Sequence, residues 1–243
     1  DEHLDKNQIY LGMVGTTPYG LFCTTPIKSA EDLAGKRIRI GGPQWSRWVT
    51  EFGGSPVSIP VNETYEALNQ GVVDCTAHNL PDLINFKFID IVSDITMGVP
   101  GSTFGGVGTN INTDAWRSLS EEERKSVLYG AAVINAELAM QYHEEHEEAL
   151  RQLAERSNEI TMHEPEASFQ AETRAFQKAD LATIPQRYAE RYGIENAEEM
   201  SAAFTEVLAE WMDRVSDVHT REQLVALYWD EIFSKIDVNS YGM

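Results

Sequence analysis

The sequence predicts an α/β protein in which short strands and helices alternate in the first half and long helices dominate the second half. In the first half, short apolar runs are interrupted by Gly, Pro, Asn and Asp, the residues that end strands and form turns. In the second half, capping signals precede much longer amphipathic segments. Gly and Pro residues cluster from Gly98 to Gly108. This segment is either a hinge or crossing segment, or a plain loop.

Strands and short helices are expected in turn along the first half. Arg37–Ile40 is predicted as a strand because polar and apolar residues alternate along it. The other strands expected there are Ile9–Val14, Gly20–Thr25, Val72–Ala77 and Ile89–Thr96. The expected helices are a short one from a capping box at Ser29 to Gly35, one around Ser46–Phe52, one from a cap at Asn62 to Gly71, and Pro81–Phe88.

The second half is expected to be helical apart from one strand. Ser120-Glu121-Glu122-Glu123 is a capping box, and the helix that it opens is predicted to continue past Leu150, long enough to span two lobes. The other expected elements are a strand at Ile160–His163 and helices at Ser168–Tyr192, kinked at Pro185, at Asn196–Val215 and at Arg221–Lys235.

Acidic residues outnumber basic residues by 39 to 19, which gives the 243-residue chain a net charge of −20. Such a chain repels the phosphates of nucleic acids and the surfaces of anionic membranes, so neither partner is expected. A small anionic ligand is not excluded, because one local cation can dominate the field inside a closed cleft. No apolar run reaches the roughly 18 residues that a membrane-spanning helix needs.

Cys23 and Cys75 are the two cysteines of the chain, and no C-x-x-C spacing of a metal framework is present. They are either buried thiols or, in an oxidising compartment, one disulfide. The chain opens with Asp1-Glu2-His3, which has neither the basic nor the apolar region of a signal peptide. A leader removed by processing is compatible with this start.

Three segments of the chain carry a family resemblance. Residues 26–40 read PIKSAEDLAGKRIRI, residues 52–57 read FGGSPV and are followed by ETYEALNQGVVD at 63–74, and residues 116–122 read WRSLSEE. In this order and spacing, the segments resemble the periplasmic solute-binding proteins of TRAP (tripartite ATP-independent periplasmic) transporters, the DctP-type family. The resemblance covers roughly residues 9–215.

The resemblance implies a two-lobed fold of the periplasmic-binding type, with crossing hinge strands and a long helix that spans both lobes. It assigns residues 1–16 and 105–144 to lobe I, residues 17–104 and 145–200 to lobe II with the carboxylate clamp, and residues 201–243 to C-terminal helices. It also implies that about the first hundred residues of a typical member are absent, so that lobe I is incomplete. We therefore expect weak or no ligand binding by these 243 residues alone.

The implied function is capture of a small organic carboxylate in the periplasm and its delivery to a membrane permease. This role needs no catalysis and no cofactor, and we expect a monomer. The clamp implied by the resemblance is Arg39, the last polar residue before Gly41-Gly42-Pro43. Alternation alone places Arg37 and Arg39 on one strand face and favours surface positions for both. An arginine at such a place binds a carboxylate through two parallel hydrogen bonds, and the helix that follows the loop adds backbone N–H groups.

Two further positions depart from the family pattern. Tyr19 stands where sialic-acid-binding members carry a second arginine, so it either stacks on or hydrogen-bonds to a less charged ligand, or is a half-buried strand tyrosine. This departure favours a monocarboxylate. The ligand-contacting Asn of the family falls on His78 or on Asn79, depending on the residue from which it is counted. Either residue contacts the ligand or caps the turn before Pro81.

Aromatic residues near the clamp are candidates for the cleft wall. Trp45 follows the clamp loop and Phe104 lies in the Gly-rich segment, and each lines the cleft or packs in the core. Cys75 replaces a Gly of the family pattern. If its strand and the strand of Cys23 are neighbours in one lobe, a disulfide between them is geometrically possible.

Two other functions compete with ligand capture. A metal-dependent hydrolase is suggested by His143, His146 and Glu147 on one helix, but the spacing lacks the His pair at i and i+4 of the zincin pattern. The acidic neighbours favour a solvated helix face instead. A purely helical interaction protein is the other alternative, and the α/β first half argues against it.

Overall fold

The computed structural model describes residues 7–101 and 105–243, which form eight strands and nine α-helices. The strands are β1 (Gln8–Gly15), β2 (Tyr19–Cys23), β3 (Arg37–Ile40), β4 (Ser55–Ser58), β5 (Cys75–Asn79), β6 (Asp94–Thr96), β7 (Gly105–Asn112) and β8 (Thr161–His163). The helices are α1 (Ala30–Leu33), α2 (Pro43–Glu51), α3 (Thr64–Asn69), α4 (Leu80–Asn85), α5 (Thr113–Ser118), α6 (Glu121–Glu155), α7 (Ala167–Tyr192), α8 (Ala197–Val215) and α9 (Arg221–Glu231). The predicted α/β class is confirmed, and the alternative of a purely helical protein is wrong.

The described chain divides into two compact units. Unit 1 contains residues 7–15, 105–141 and 182–243, and unit 2 contains residues 16–101 and 142–181. As the capping box at Ser120 predicts, α6 begins at Glu121 and continues past Leu150. The first part of this helix belongs to unit 1 and its last part to unit 2.

Unit 2 is built on a mixed sheet of six strands in the order β4-β3-β5-β2-β6-β8. β3 runs parallel to β4 and β5, whereas β2 runs antiparallel to β5 and β6. In this register Arg39 lies opposite Thr76, and Tyr19 lies opposite Asn79. The carboxyl ends of β3 and β5 and the start of β2 therefore meet at one end of the sheet, which we call the carboxyl end.

Apolar side chains cover both faces of this sheet. On one face, Ile38 packs in a cluster with Trp45 and Trp48 of α2 and with Phe169 of α7. On the other face, Phe22 packs in a cluster with residues of α3, α4 and α6. The strands are thus fixed from both sides, so the polar side chains at the carboxyl end project from a rigid frame.

Local sequence signals place α1 and α2 on either side of β3. Ser29 and Asp32 form the predicted capping box, in which the Asp32 N–H donates to Ser29 Oγ at 3.2 Å and the Ser29 N–H donates to the Asp32 carboxylate at 3.0 Å. α2 begins at Pro43, earlier than the start predicted near Ser46. Proline suits the first helical position, because its φ is already helical and its missing N–H would have had no partner there.

Two strands of unit 2 differ from the prediction. β4 was not predicted, because it lacks apolar alternation and contains Pro56. The strand lies at the edge of the sheet, where proline is tolerated. The strand predicted at Val72–Ala77 begins only at Cys75. The N–H groups of Val72 and Val73 donate to a carbonyl oxygen of α3, at 2.8 and 3.2 Å, and are therefore not available to a strand ladder.

Two turns explain two further differences in unit 2. The predicted cap at Asn62 is wrong, because Val61–Glu63 forms a 3-10 turn and α3 begins at Thr64. Phe88–Asp90 forms a second such turn, so the extended segment predicted from Ile89 is reduced to β6.

Unit 1 contains a two-stranded antiparallel sheet of β1 and β7. Ile9 and Leu11 of β1 pack in a cluster with Trp116 of α5 and Leu128 of α6. The Trp116 Nε1–H donates to the Tyr241 carbonyl oxygen at 2.8 Å, which ties the C-terminal segment to α5. Many apolar side chains of α8 are exposed. In the described part of the chain, no helix combines the length and the apolar character needed to cross a membrane.

Candidate functional site

The carboxyl end of the unit 2 sheet gathers most of the residues that the sequence singles out. Arg39 stands near the end of β3, His78 and Asn79 end β5, and Tyr19 begins β2. Ligands of open α/β sheets bind outside the carboxyl ends of the parallel strands. The position of this cluster therefore agrees with a ligand site.

Arg39 is buried, with 6% of its surface exposed, although alternation alone favoured a surface position. Its Nε–H donates to the Ile59 carbonyl oxygen at 3.0 Å, and its Nη1 donates to Nε2 of His78 at 2.6 Å. Within residues 7–101 and 105–243, no partner is found for the other guanidinium N–H groups, including both on Nη2. Desolvation lowers the pKa of Arg39, but an arginine side chain stays protonated in proteins. Arg39 is thus a buried cation with N–H donors left for a ligand.

Arg37, two residues earlier on the same strand, has the opposite environment. It is exposed and forms a bidentate pair with Asp74, with distances of 3.1 Å from Nε to Oδ2 and 2.7 Å from Nη2 to Oδ1. The Arg37 guanidinium is the main cause that lowers the pKa of the Asp74 carboxyl. Because its fork is already occupied by a carboxylate, Arg37 is a surface ion pair and not a second clamp.

His78 links Arg39 to an acidic residue. The His78 ring is 2% exposed, and its Nδ1 lies 2.7 Å from Oδ2 of Asp82. The guanidinium can only donate, so Nε2 of His78 must accept and Nδ1 must carry the proton that is donated to Asp82. Burial lowers the pKa of His78 more than the nearby Asp82 raises it. The imidazole is therefore neutral near pH 7.

Asn79 caps the helix that follows β5. Its Oδ1 accepts from the Asp82 N–H at 3.3 Å, and its Nδ2 donates to Oδ2 of Asp82 at 3.0 Å. Of the two roles that the sequence left open for Asn79, the geometry shows the cap before Pro81. Asn79 and His78 thus hold the same carboxylate oxygen, which fixes Asp82 at the start of α4.

Tyr19 lies over Trp45, with ring centroids 4.4 Å apart and planes inclined by 16°. It is also nearly parallel to the His78 ring, with centroids 5.9 Å apart, and the Asn79 side chain lies near its hydroxyl and acts to lower its pKa. Burial is the largest of the causes that raise the pKa of Tyr19, so the phenol stays neutral. Trp45 is 1% exposed and is part of the unit 2 core. Tyr19 is 6% exposed and belongs to the same core cluster, in which it stacks on Trp45.

The loop between β3 and α2 passes close to Arg39. A Cβ atom at Gly41 would lie 3.6 Å from Nη1 of Arg39, so the backbone of this loop adjoins the guanidinium. Gly42 is the N-cap of α2 and provides no side-chain hydrogen bond, and Pro43 follows it. The backbone at the start of α2 therefore lacks the side-chain cap that closes the starts of α1 and α4.

Three other predicted features lie away from this cluster or outside the described residues. Cys23 and Cys75 face each other on β2 and β5, at the opposite end of these strands, and form a disulfide with Cα atoms 4.1 Å apart. Phe104 lies outside the described residues. His143 and Glu147 of α6 are exposed, and His146 is half-buried. Within the described ranges, no group of three or more His, Cys, Asp or Glu side chains could hold a metal ion.

Sequence reasoning missed Asp82. The signal was present, because Asp82 follows His78 by four residues and Asn79 by three, across the start of a helix. An Asn cap binds the backbone N–H of the third residue after it, so a cap at Asn79 brings Asp82 to the start of the helix. Because His78 directly precedes Asn79, Asp82 is then also close to His78. What the spacing did not reveal is that β3 would bring Arg39 against the other nitrogen of the imidazole.

Comparison with protein families and solved structures agrees with this architecture. The model of the family "Bacterial extracellular solute-binding protein, family 7" matches residues 3–186. A curated solute-binding protein of Albidiferax ferrireducens is 29% identical over 77 residues, which are 32% of this chain and 23% of that protein.

Two solved structures share the fold. A TRAP periplasmic solute-binding protein of Bordetella bronchiseptica, with bound (R)-mandelate and (S)-mandelate, is 27% identical and superposes with a TM-score of 0.64, over 81% of this chain and 62% of that one. The periplasmic ectoine-binding protein of a TRAP transporter of Halomonas elongata is 22% identical, with a TM-score of 0.70, over 84% of this chain and 65% of that one. The two-lobed periplasmic-binding fold is thereby confirmed. The chain matches less than two thirds of the length of each of these proteins.

Proposed function

The chain belongs to the bacterial extracellular solute-binding proteins of family 7, and we propose that it captures a small organic carboxylate through Arg39 and delivers it to a membrane permease. The resemblance to TRAP solute-binding proteins that the three sequence segments predicted is correct. The family places the chain in the periplasm, among transport proteins and not among enzymes. The alternative of a metal-dependent hydrolase is therefore wrong.

The observation that carries the proposal is the state of Arg39. It is a buried cation at the carboxyl end of the sheet. Among the described residues, Ile59 accepts from its Nε–H and His78 accepts from one N–H of Nη1, which leaves both N–H groups of Nη2 for a ligand. A guanidinium in this state offers a planar pair of N–H donors that matches the two oxygens of a carboxylate. Because burial removes competing water, this contact is stronger than it would be at the surface.

The similar structures support an acidic ligand. The Bordetella bronchiseptica protein holds mandelate, a carboxylate with an aromatic ring, and the Halomonas elongata protein binds ectoine. Within the described residues of unit 2, Arg39 is the buried arginine at the carboxyl end, and the neighbouring Tyr19 is a neutral phenol. A single cation beside an aromatic surface favours a monocarboxylate with an apolar or aromatic tail over a dicarboxylate.

Each neighbour of Arg39 has a place in this proposal. Tyr19 contacts the ligand and Trp45 supports Tyr19, the N–H groups at the start of α2 lie beside the carboxylate, and Phe104 stays a candidate for lining the cleft. Unit 2 then corresponds to the clamping lobe. The permease is the partner that receives the ligand, and the binding protein acts as a monomer.

The test is a thermal-shift and calorimetric screen of the full-length protein with (R)-mandelate, (S)-mandelate, benzoate, acetate and succinate. Arg39→Gln and Arg39→Lys are compared with Arg37→Gln, a control on the same strand whose side chain faces solvent. We expect a monocarboxylate to raise the melting temperature of the wild type and of Arg37→Gln, and to leave Arg39→Gln unchanged. Circular dichroism confirms that each variant is folded. Equal binding by folded Arg39→Gln would remove Arg39 from the site, and no shift with any acid would refute the ligand class.

A further inference from the structure

We propose that Asp82 and His78 are positioning residues, which orient the Arg39 guanidinium toward the ligand without neutralising its charge. The inference rests on the proposed function, because it concerns how the clamp is held. Sequence comparison suggested a direct ligand contact for His78, and the geometry points to a role through Arg39 instead.

The positioning contacts form an unbroken series. Asp82 Oδ2 accepts from Nδ1 of His78 at 2.7 Å, and Nε2 of His78 accepts from Nη1 of Arg39 at 2.6 Å. On the other side of the guanidinium, Nε donates to the Ile59 carbonyl oxygen at 3.0 Å. Because a guanidinium is planar and rigid, contacts at Nε and Nη1 fix the direction of the Nη2 donors.

The imidazole between the two charges preserves the attraction for a carboxylate. In the described part of the chain, Asp82 pairs with His78 and makes no ion pair with Arg39. A carboxylate directly on Arg39 would occupy the fork, as Asp74 occupies the fork of Arg37. The neutral imidazole instead offers a single acceptor atom to Nη1, so most of the fork and its charge remain for the ligand.

The surroundings of His78 keep it in this neutral state. Arg39 of β3 and Asp82 of α4 contact its ring, Tyr19 of β2 lies parallel to it, and Phe88 packs against it with centroids 5.0 Å apart. Tyr142 of α6 lies near Asp82 and, like Tyr19, has a raised pKa because of burial, so both are neutral phenols. A proton on Nε2 would face the Arg39 cation inside this apolar shell, which disfavours the charged imidazole.

A direct ligand contact by His78 does not fit this geometry. Both ring nitrogens are already used within the protein, and the ring is almost completely buried. A purely structural role would make the fold depend on His78 but leave a folded variant with normal affinity. The positioning role makes a different prediction, because it requires an acceptor atom at the place of Nε2.

The first experiment needs no ligand. Nuclear magnetic resonance of the full-length protein measures the tautomer of His78 and the order of the Arg39 Nε–H bond in the wild type, His78→Gln and His78→Leu. Glutamine places a carbonyl oxygen near the position of Nε2, whereas leucine places none. We expect an Nδ1–H tautomer, an order parameter above about 0.8 in the wild type and His78→Gln, and one below about 0.6 in His78→Leu. An Nε2–H tautomer, or an Arg39 that stays ordered in His78→Leu, would overturn the proposal.

The second experiment measures affinity for (R)-mandelate, or for the acid of the screen that binds best. We expect His78→Gln to bind within about threefold of the wild type and His78→Leu to bind about tenfold more weakly, as for loss of one charge-assisted hydrogen bond. In an Arg39→Lys background the same leucine substitution should change affinity by less than about twofold, because lysine has no planar fork to orient. An equal loss in both backgrounds would show that His78 acts independently of Arg39.

A substitute variant covers the case in which His78→Leu does not fold, and the ligand-free measurement covers the case in which no acid binds. If His78→Leu does not fold, Asp82→Asn replaces it, since this change keeps the shape of the side chain and removes the charge that selects the tautomer. We expect lower Arg39 order and weaker binding in that variant, and unchanged values would contradict the proposal. If the wild type binds none of the acids, the proposed function fails, while the order of Arg39 still decides whether Asp82 and His78 position it.

Discussion

The two units of this chain contain similar numbers of apolar residues but bury them to different extents. In unit 2, clusters on both faces of a six-stranded sheet bury their large side chains almost completely, and Trp45, Trp48, Phe22 and Phe169 are each 2% exposed or less. In unit 1, a two-stranded sheet carries one cluster, and Phe204 and Met212 of α8 are 67% and 66% exposed. The difference teaches that the side chains packed around Arg39 are held in place within unit 2 itself.

The exposed face of α8 lines an apolar groove of unit 1. Phe204, Leu208 and Trp211 of α8 line it together with Tyr10 and Met13 of β1. An apolar surface of this kind is typical of a region that packs against further polypeptide. Among the described residues, most of the exposed large apolar side chains therefore belong to unit 1, and those of unit 2 are Val72, Met162 and Leu181.

The largest expected effect compares two phenylalanines, one in each unit. Phe169→Ala removes a ring that packs on Trp48 and Phe52 in the unit 2 core, and should lower the free energy of unfolding by about 3–5 kcal/mol. Phe204→Ala, its matched control on α8, should change it by less than about 0.5 kcal/mol. Urea unfolding measures both values. A comparable loss for Phe204→Ala would mean that α8 is covered in solution, and the contrast between the units would fail.

The disulfide should contribute the next largest effect, and only to unit 2. Cys23 and Cys75 are separated by 52 residues and join the central strands β2 and β5. The double variant Cys23→Ala, Cys75→Ala should lose about 2–4 kcal/mol of unfolding free energy. Hydrogen exchange monitored by mass spectrometry should show faster exchange in β2 and β5 and unchanged exchange in β1 and β7. Equal acceleration in all four strands would show that the units unfold together.

Acid should weaken unit 2 through His78. Burial lowers the folded-state pKa of His78 below its ordinary value near 6.5, so the unfolded chain binds more protons in acid than the folded chain does. Stability is therefore complete above about pH 6.5 and falls as the pH decreases below that value. His78→Gln should flatten this dependence in melting curves recorded from pH 7.5 to pH 5. A shallower dependence should remain, because burial lowers the pKa of His146 as well. An unchanged slope would show that folding does not lower the pKa of His78.

The smallest effect is expected for the pair Arg37 and Asp74. Both side chains are partly exposed, at 46% and 27%, and water screens their attraction. Arg37→Gln should leave the melting temperature and ligand affinity unchanged within error, although it lies on the same strand as Arg39. A loss of affinity in Arg37→Gln would mean that the charge of the strand, and not the buried fork of Arg39, attracts the ligand.

Much of the fold could be predicted from local signals. The alternation at Arg37–Ile40, the capping boxes at Ser29 and Ser120, and the amphipathic segment of α8 all correspond to elements of the structure. These signals depend on neighbouring residues alone. β4 could not be predicted, because it has no apolar alternation of its own, its one strand partner is β3, and its edge position tolerates Pro56.

The candidate site shows the same limit. Local alternation could not separate Arg37 from Arg39, because the two side chains differ in their tertiary neighbours. Arg39 is buried against Ile59 and His78, whereas Arg37 is exposed and pairs with Asp74. The resemblance selected Arg39, and it also placed His78 near the site. The His78 ring contacts Arg39 through Nε2 and Asp82 through Nδ1. The contact with Arg39 depends on the register between β3 and β5. Register is a tertiary property that no single segment encodes.

The bond between Cys23 and Cys75 also bears on when the chain acquires its full stability. Thiols stay reduced in the cytoplasm and oxidise in the periplasm, where this family works. Before export, unit 2 lacks the cross-link between its central strands, and its unfolded ensemble is correspondingly favoured. After export, oxidation makes the folded sheet more stable in the compartment where the ligand is met. The disulfide thus stabilises unit 2 only after the chain has left the cytoplasm.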